Sequence, residues 1–182
     1  MATCSTSIAF PNSDLSLAVS AGIYHDIQHF LCREALLLDH RRFDEWTGLL
    51  ASDVVFRMPA RFAREIGMES PAGVDYFQDD RRAIAARIKR LQDHPELPAS
   101  QQLLAKQTRR FITNVIVCPC DRDEYNVLSY LLLTTSRPGE ASTVFSAERY
   151  DRLRRATRTF KIVRREIVMD QSNANVDIDM YL

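Results

Sequence analysis

Ile23-Tyr24-His25-Asp26-Ile27-Gln28-His29-Phe30-Leu31-Cys32-Arg33-Glu34-Ala35-Leu36-Leu37-Leu38-Asp39, followed by Phe43-Asp44-Glu45-Trp46-Thr47-Gly48-Leu49-Leu50, is the stretch on which the fold turns. At about 100° per residue, Ile23, Ile27, Phe30, Leu31, Leu37 and Leu38 share an arc of about 120°, the mark of a helix with one buried face. Glu34 projects into the middle of that arc. A carboxylate there costs several kcal/mol unless it is paired or hydrogen-bonded. Glu34 therefore either has a buried partner, with Arg149 the first candidate, or works as a general base in a cavity. Asp39 and Trp46 stand close to it in sequence.

Working outward, Met1 to about residue 14 is Ser/Thr-rich and reads as a mobile arm, leaving 15–182 as one domain. The long helix runs to about His40 and a short one covers Phe43 to Leu50, with Trp46 facing inward. Val54 to Met58 is a short strand, stopped by Pro59. Residues 60–73 read as a long loop. Tyr76 to Leu91 reads as a helix with Phe77, Ile84, Ile88 and Leu91 on its apolar stripe. Arg81, Arg82, Arg87, Lys89 and Arg90 surround that stripe as a solvated face or a docking face for an acidic partner.

Four strand-like runs follow: Phe111 to Val117, Tyr125 to Thr135, Ser142 to Leu153 and Thr159 to Met169. Pro138-Gly139 marks a turn between the second and third. In the last run, Phe160 and Ile162 fall on one face and Val163 and Ile167 on the other. Short connections predict an antiparallel meander, and helices followed by one sheet predict an α+β fold with the curved sheet wrapped around the long helix.

Composition narrows the function. With 24 Lys plus Arg against 24 Asp plus Glu, the chain has no net charge to attract nucleic acid or an anionic membrane. Only five glycines are present, and no GxGxxG or GxxxxGK[ST] occurs. No basic, apolar leader opens the sequence, and the longest apolar run is too short to span a bilayer. Cys4, Cys32, Cys118 and Cys120 lack the spacing of a disulfide framework, which predicts reduced thiols and a cytoplasmic protein.

Metal chemistry finds little support in the residues. His25 and His29 have the i, i+4 spacing of a zinc helix, but they project away from Phe30 and Glu34 and no third ligand is evident. Cys118-Pro119-Cys120 is too closely spaced for a redox CxxC. Neither a Rieske pattern nor two histidines with a carboxylate can be assembled.

Several segments nonetheless resemble one family in order. Arg33-Glu34-Ala35-x-Leu37-Leu38-Asp39 with Phe43-x-x-Trp46-x-x-Leu49 opens the series, followed by Asp53 to Met58-Pro59-x-Arg61. Arg87-Ile88-x-Arg90-Leu91 comes next, then Thr108-Arg109-Arg110-Phe111-Ile112-Thr113-Asn114-Val115. Phe145-x-Ala147-Glu148-Arg149-x-Asp151-x-Leu153-Arg154-Arg155 and Arg165-x-Ile167-x-Met169-Asp170 complete it. Together they resemble the β (small) subunits of aromatic-ring-hydroxylating dioxygenases of the biphenyl, naphthalene and phenylpropionate group.

The resemblance implies a cone-shaped, nuclear-transport-factor-like fold and a subunit with no catalytic residue, metal or cofactor of its own. It implies assembly with a catalytic α subunit, commonly three α and three β. That α subunit would carry a Rieske [2Fe-2S] cluster and a mononuclear non-haem iron. Electrons would come from NAD(P)H through a reductase, with or without a ferredoxin, and both atoms of O₂ would enter the ring. Glu34, Asp39, Trp46, Arg61, Arg87, Arg90, Arg109, Asn114, Arg149, Tyr181 and Leu182 are then structural or interface residues. The competing reading is a stand-alone dehydratase or isomerase of the same fold, with Glu34 as base. The tail, with apolar Val176, Ile178, Met180 and Leu182 alternating, reads as docked in a groove at or beside the contact between β subunits, Tyr181 serving as an anchor. The other reading has the tail covering its own sheet edge.

Overall fold

The structure, a computed structural model, describes residues 19–59, 75–92, 107–157 and 159–171. The expected N-terminal arm, the 60–73 loop, Arg61 and the tail with Tyr181 and Leu182 lie outside those residues.

Helix α1 spans Ala21–Asp39. Ser20 caps it, its Oγ accepting from the Ile23 amide at 3.4 Å. At the other end Arg41 takes φ 55°. There the Arg42 amide reaches Leu37 O at 2.8 Å and the Arg41 amide reaches Leu38 O at 3.0 Å. This pair of bonds is the Schellman ending, built on an arginine where glycine is usual. The chain reverses into α2 (Phe43–Thr47), which is shorter than the sequence predicts because Leu50 already belongs to a strand.

Six strands form one sheet in the order β2-β1-β6-β5-β4-β3. They are β1 (Leu50–Pro59), β2 (Asp75–Asp80), β3 (Gln107–Asp121), β4 (Glu124–Ser136), β5 (Thr143–Ala156) and β6 (Thr159–Met169). The β3 to β6 meander is antiparallel as expected, with Gly139 at φ 83° in the β4–β5 turn. β1 joins β6 in parallel, so the whole sheet is mixed rather than antiparallel.

The predicted helix from Tyr76 begins later, at Arg81, as α3 (Arg81–Gln92). Residues 75–80 pair with β1 instead, with Phe77 opposite Met58 and Asp79 opposite Phe56. Asp80 then caps α3, its Oδ1 accepting from the Ala83 amide at 2.8 Å. The Asp79-Asp80 pair carried that helix-start signal in the sequence.

Two bulges keep apolar residues inside. In β3 the register slips between Thr113 and Ile116, and Asn114 takes φ 51°. Asparagine tolerates this left-handed conformation better than most residues, and the extra residue turns Val115 and Val117 inward behind Ile112. In β6 the register slips at Val163. This corrects the predicted alternation: Ile167 shares the inner face with Phe160 and Ile162, and so does Arg165. The core gathers Ile27, Phe30, Leu31, Leu37, Trp46, Phe56, Val127, Leu153 and Ile162 between α1 and the sheet.

Candidate functional site: a buried charge cluster under the sheet

α1 presents Glu34 to the inner face of the sheet, where it is completely buried. The β6 bulge aims Arg165 at it. Arg165 Nη1 donates to Glu34 Oε1 at 2.5 Å and Nη2 to Oε2 at 2.8 Å, a two-pronged pairing. The same guanidinium turns its other edge to Asp151 on β5, Nε to Oδ1 at 2.6 Å and Nη2 to Oδ2 at 3.1 Å. Trp46 Nε1 donates to Glu34 Oε1 at 3.2 Å. The Phe56 ring lies under the Arg165 guanidinium, 5.2 Å from its centroid.

Arg149, the partner first expected for Glu34, holds second place. It lies 3.4 Å from Glu34 Oε2 and 3.0 Å from Asp151 Oδ2, close enough for charge attraction. Its Nε and Nη2 make no aligned hydrogen bond. The main partner is Arg165, because only the bulge brings position 165 onto the inner face. Two carboxylates and two guanidiniums make the cluster electrically neutral.

Electrostatics follow from this geometry. Burial by itself would raise the Glu34 pKa. The Arg165 and Arg149 charges, with the Arg165 and Trp46 hydrogen bonds, outweigh burial and bring it down to about 2. Burial pulls the Arg149 guanidinium below its usual pKa, and the neighbouring Arg165 charge adds to the effect. Arg165 goes the other way. Burial opposes its charge, but Asp151 and Glu34 more than compensate and raise it. A carboxylate held this firmly ionised, with its lone pairs committed to arginines and an indole, is a poor proton acceptor at neutral pH. For the same reason Glu34 and Asp151 do not fit an iron site. Among the described residues, no group of three or more His, Cys, Asp or Glu side chains is placed to hold a metal ion.

The other expected site residues fall elsewhere. Asp39 binds β3 through Arg110, at 3.0 Å to its amide and 2.6 Å to its guanidinium, while Arg109 is exposed on the opposite face. Asn114 is the bulge residue. Arg87 is committed internally, at 2.6 Å from Asp79 and 4.7 Å from the centroid of the Phe77 ring. Arg81 donates to Leu50 O and Ala51 O. Of the expected docking cations, these two therefore brace the fold, and Arg82 and Arg90 remain exposed. His25 and His29 face outward, as their phase on the helix predicts. Asp151 and Arg165 were not singled out as site residues. The signal for Asp151 was its i, i+2 spacing from Arg149, which places both on one strand face.

The cluster ties one helix to two sheet strands in a single closed knot, and the segment around it matches a known family. The model for "Ring hydroxylating beta subunit" covers residues 33–175. The chain belongs to that family.

Among its relatives, the benzene 1,2-dioxygenase subunit beta of Pseudomonas putida is 34% identical over 165 residues, 85% of each chain. The biphenyl 2,3-dioxygenase subunit beta of Rhodococcus jostii (strain RHA1) is 33% identical over the same length and coverage. A solved naphthalene 1,2-dioxygenase with indole bound in its active site superposes with a TM-score of 0.76. That superposition covers 91% of this chain and 88% of that one at 20% identity, a likeness of fold. Ring-hydroxylating β subunits thus share the architecture seen here, in which an open mixed sheet curves around one long helix.

Proposed function

We propose that this chain is the non-catalytic β subunit of a multicomponent, NAD(P)H-dependent aromatic-ring-hydroxylating dioxygenase, and that it supports a catalytic α subunit in a cytoplasmic hetero-oligomer. Three α and three β subunits are the proposed stoichiometry. The α subunit would hold the Rieske cluster and the mononuclear iron, fed by a reductase with or without a ferredoxin. The observation that carries this reading is the state of Glu34. The acid at the centre of the cone is locked into a neutral ionic cluster, so the fold spends it on rigidity. That also weighs against a dehydratase or isomerase with Glu34 as base, since a pKa near 2 leaves almost no driving force for proton abstraction at neutral pH.

Co-expression with the α subunit of a ring-hydroxylating dioxygenase tests the proposal. The expected result is co-purification in equal amounts, with iron and visible absorption following α. The chain purified alone should contain no iron and show no visible band. Stoichiometric iron in this chain alone, or failure to associate with α, would overturn the reading.

A further inference from the structure

A cavity of about 440 Å³ opens where α1 passes the β5–β6 hairpin. That size suits a small organic molecule. α1 contributes Asp26, His29, Phe30 and Arg33, which their i, i+3, i+4, i+7 spacing sets on one stripe. The hairpin contributes Arg155, Thr157, Thr159 and Phe160. None of these side chains belongs to the charge cluster around Glu34.

Two rings make an apolar floor. Phe30 and Phe160 meet edge to face with centroids 6.0 Å apart, and Phe160 also meets Tyr125 at 5.9 Å. Arg155 is paired across strands with Phe160, so both side chains leave the sheet on the same face. Phe30 meets Phe160 and Glu34 meets Arg165, so α1 and β6 run in the same direction here. Arg155 therefore stands level with Phe30, about one helical turn from Arg33. The Arg155 amide donates to Asp123 O at 2.7 Å, which ties this end of β5 to the β3–β4 turn.

The charges at the cavity differ from those nearby. Arg42 is held by Glu45 at 2.6 Å, and Arg154 by Glu124 at 2.8 Å and Asp53 at 3.1 Å. Among the described residues, no carboxylate forms an ion pair with Arg33 or Arg155. The Arg33 charge reaches Glu45 only as a weak, distant attraction. Two guanidiniums thus border one cavity with their donors uncommitted, and the Thr157 and Thr159 hydroxyls add two more donors. An arginine fork matches the oxygens of a carboxylate or a phosphate. Asp26 lies two helical turns from Arg33, about 10 Å along the axis, so it repels an anion from the opposite end of the stripe. We propose that this cavity binds a small organic anion, with its carboxylate or phosphate group between Arg33 and Arg155 and its apolar body against Phe30 and Phe160. Such binding requires neither a metal nor an α subunit.

Titration of the full-length chain with phenyl phosphate, followed by amide chemical shifts and calorimetry, tests this. The expected result is saturable binding at one site, with shifts at residues 26–33 and 155–160. Inorganic phosphate, which lacks the ring, should bind there at least about fivefold more weakly. Phenol, which lacks the charge, should leave those residues unshifted. Phenylacetate in the same titration tells a carboxylate head from a phosphate one, the tighter of the two naming the class. Arg33 and Arg155 are both exposed, so Arg33→Gln and Arg155→Gln should fold as the parent does. Each should bind the organic anion at least about tenfold more weakly. Arg82→Gln, which removes an exposed charge on α3, should bind it unchanged. The proposal is overturned if neither organic anion gives saturable shifts at these residues, or if phenol or inorganic phosphate binds as tightly. Unchanged affinity in either cavity variant, or equal weakening in Arg82→Gln, would overturn it as well. Every titration uses this chain alone, so failure here leaves the α-partner reading standing, and failure to bind α leaves this one standing.

Discussion

Two sets of ion pairs cross the same sheet on opposite sides. On the inner face, Glu34, Asp151, Arg149 and Arg165 are 0–3% exposed and share their charges among one another. On the outer face, Arg57 binds Asp75 at 2.9 Å and lies 3.5 Å from Glu166, while Arg154 binds Glu124 at 2.8 Å and Asp53 at 3.1 Å. The residue types and distances are alike; the surroundings differ. Arg154 and Asp53 side chains are about half exposed, so water screens them and their pairing contributes little. Inside, each charge has lost its hydration and only its partners compensate. The separation of two charges therefore says less about consequence than the dielectric in which the pair sits.

The largest effect that sharpens this contrast belongs to Arg165. Arg165→Met removes the guanidinium that serves both carboxylates and leaves Glu34 and Asp151 facing Arg149 alone. The expected loss is on the order of 3–5 kcal/mol, read from urea denaturation, and a largely unfolded variant is consistent with it. A loss below about 1 kcal/mol would erase the distinction between the two faces.

Acid titration comes next. The Glu34 pKa is lowered from 4.5 to about 2 on folding. A lowered carboxylate contributes its stability above the unfolded pKa and loses it as pH falls through the folded one. Stability should therefore decline between about pH 4.5 and about pH 2, by on the order of 3 kcal/mol for this residue. Denaturation midpoints across that range measure it, and Glu34→Gln should flatten the slope. An unchanged slope in that variant would assign acid sensitivity to other carboxylates.

The smallest effect lies outside. Arg154→Ala should cost less than about 1 kcal/mol, and raising the salt concentration should shrink the difference from the parent protein. A larger, salt-insensitive cost would mean that the outer network is as desolvated as the inner one.

Much of this was legible in the residues. The long helix, the buried Glu34, the inward Trp46 and the four-strand meander follow from apolar periodicity, which reports the path of a regular element well. What periodicity misreads is interruption. One bulge at Val163 reverses the facing of everything after it, so Arg165 reads as outward and Arg149 takes its place. Asp75 to Asp80 is too polar to announce a strand, and only pairing with β1 makes it one. Arg87 looked like a docking cation because the strand placing Asp79 beside it was not visible in the one-dimensional pattern.

The sheet order has a consequence for how the molecule is made. β6 comes last among the strands in the sequence yet lies in the interior of the sheet, between β5 and β1. During synthesis β1 and β2 emerge early, and from the end of each it is 100 and 79 residues to the start of β6, the strand that joins them to the rest of the sheet. Until then Glu34 has no Arg165, and the apolar face of α1 has no complete sheet to cover it. Sequence-distant contacts of this kind slow folding and prolong exposure of aggregation-prone surface. The cone closes late, with the arrival of the strand that carries the central arginine.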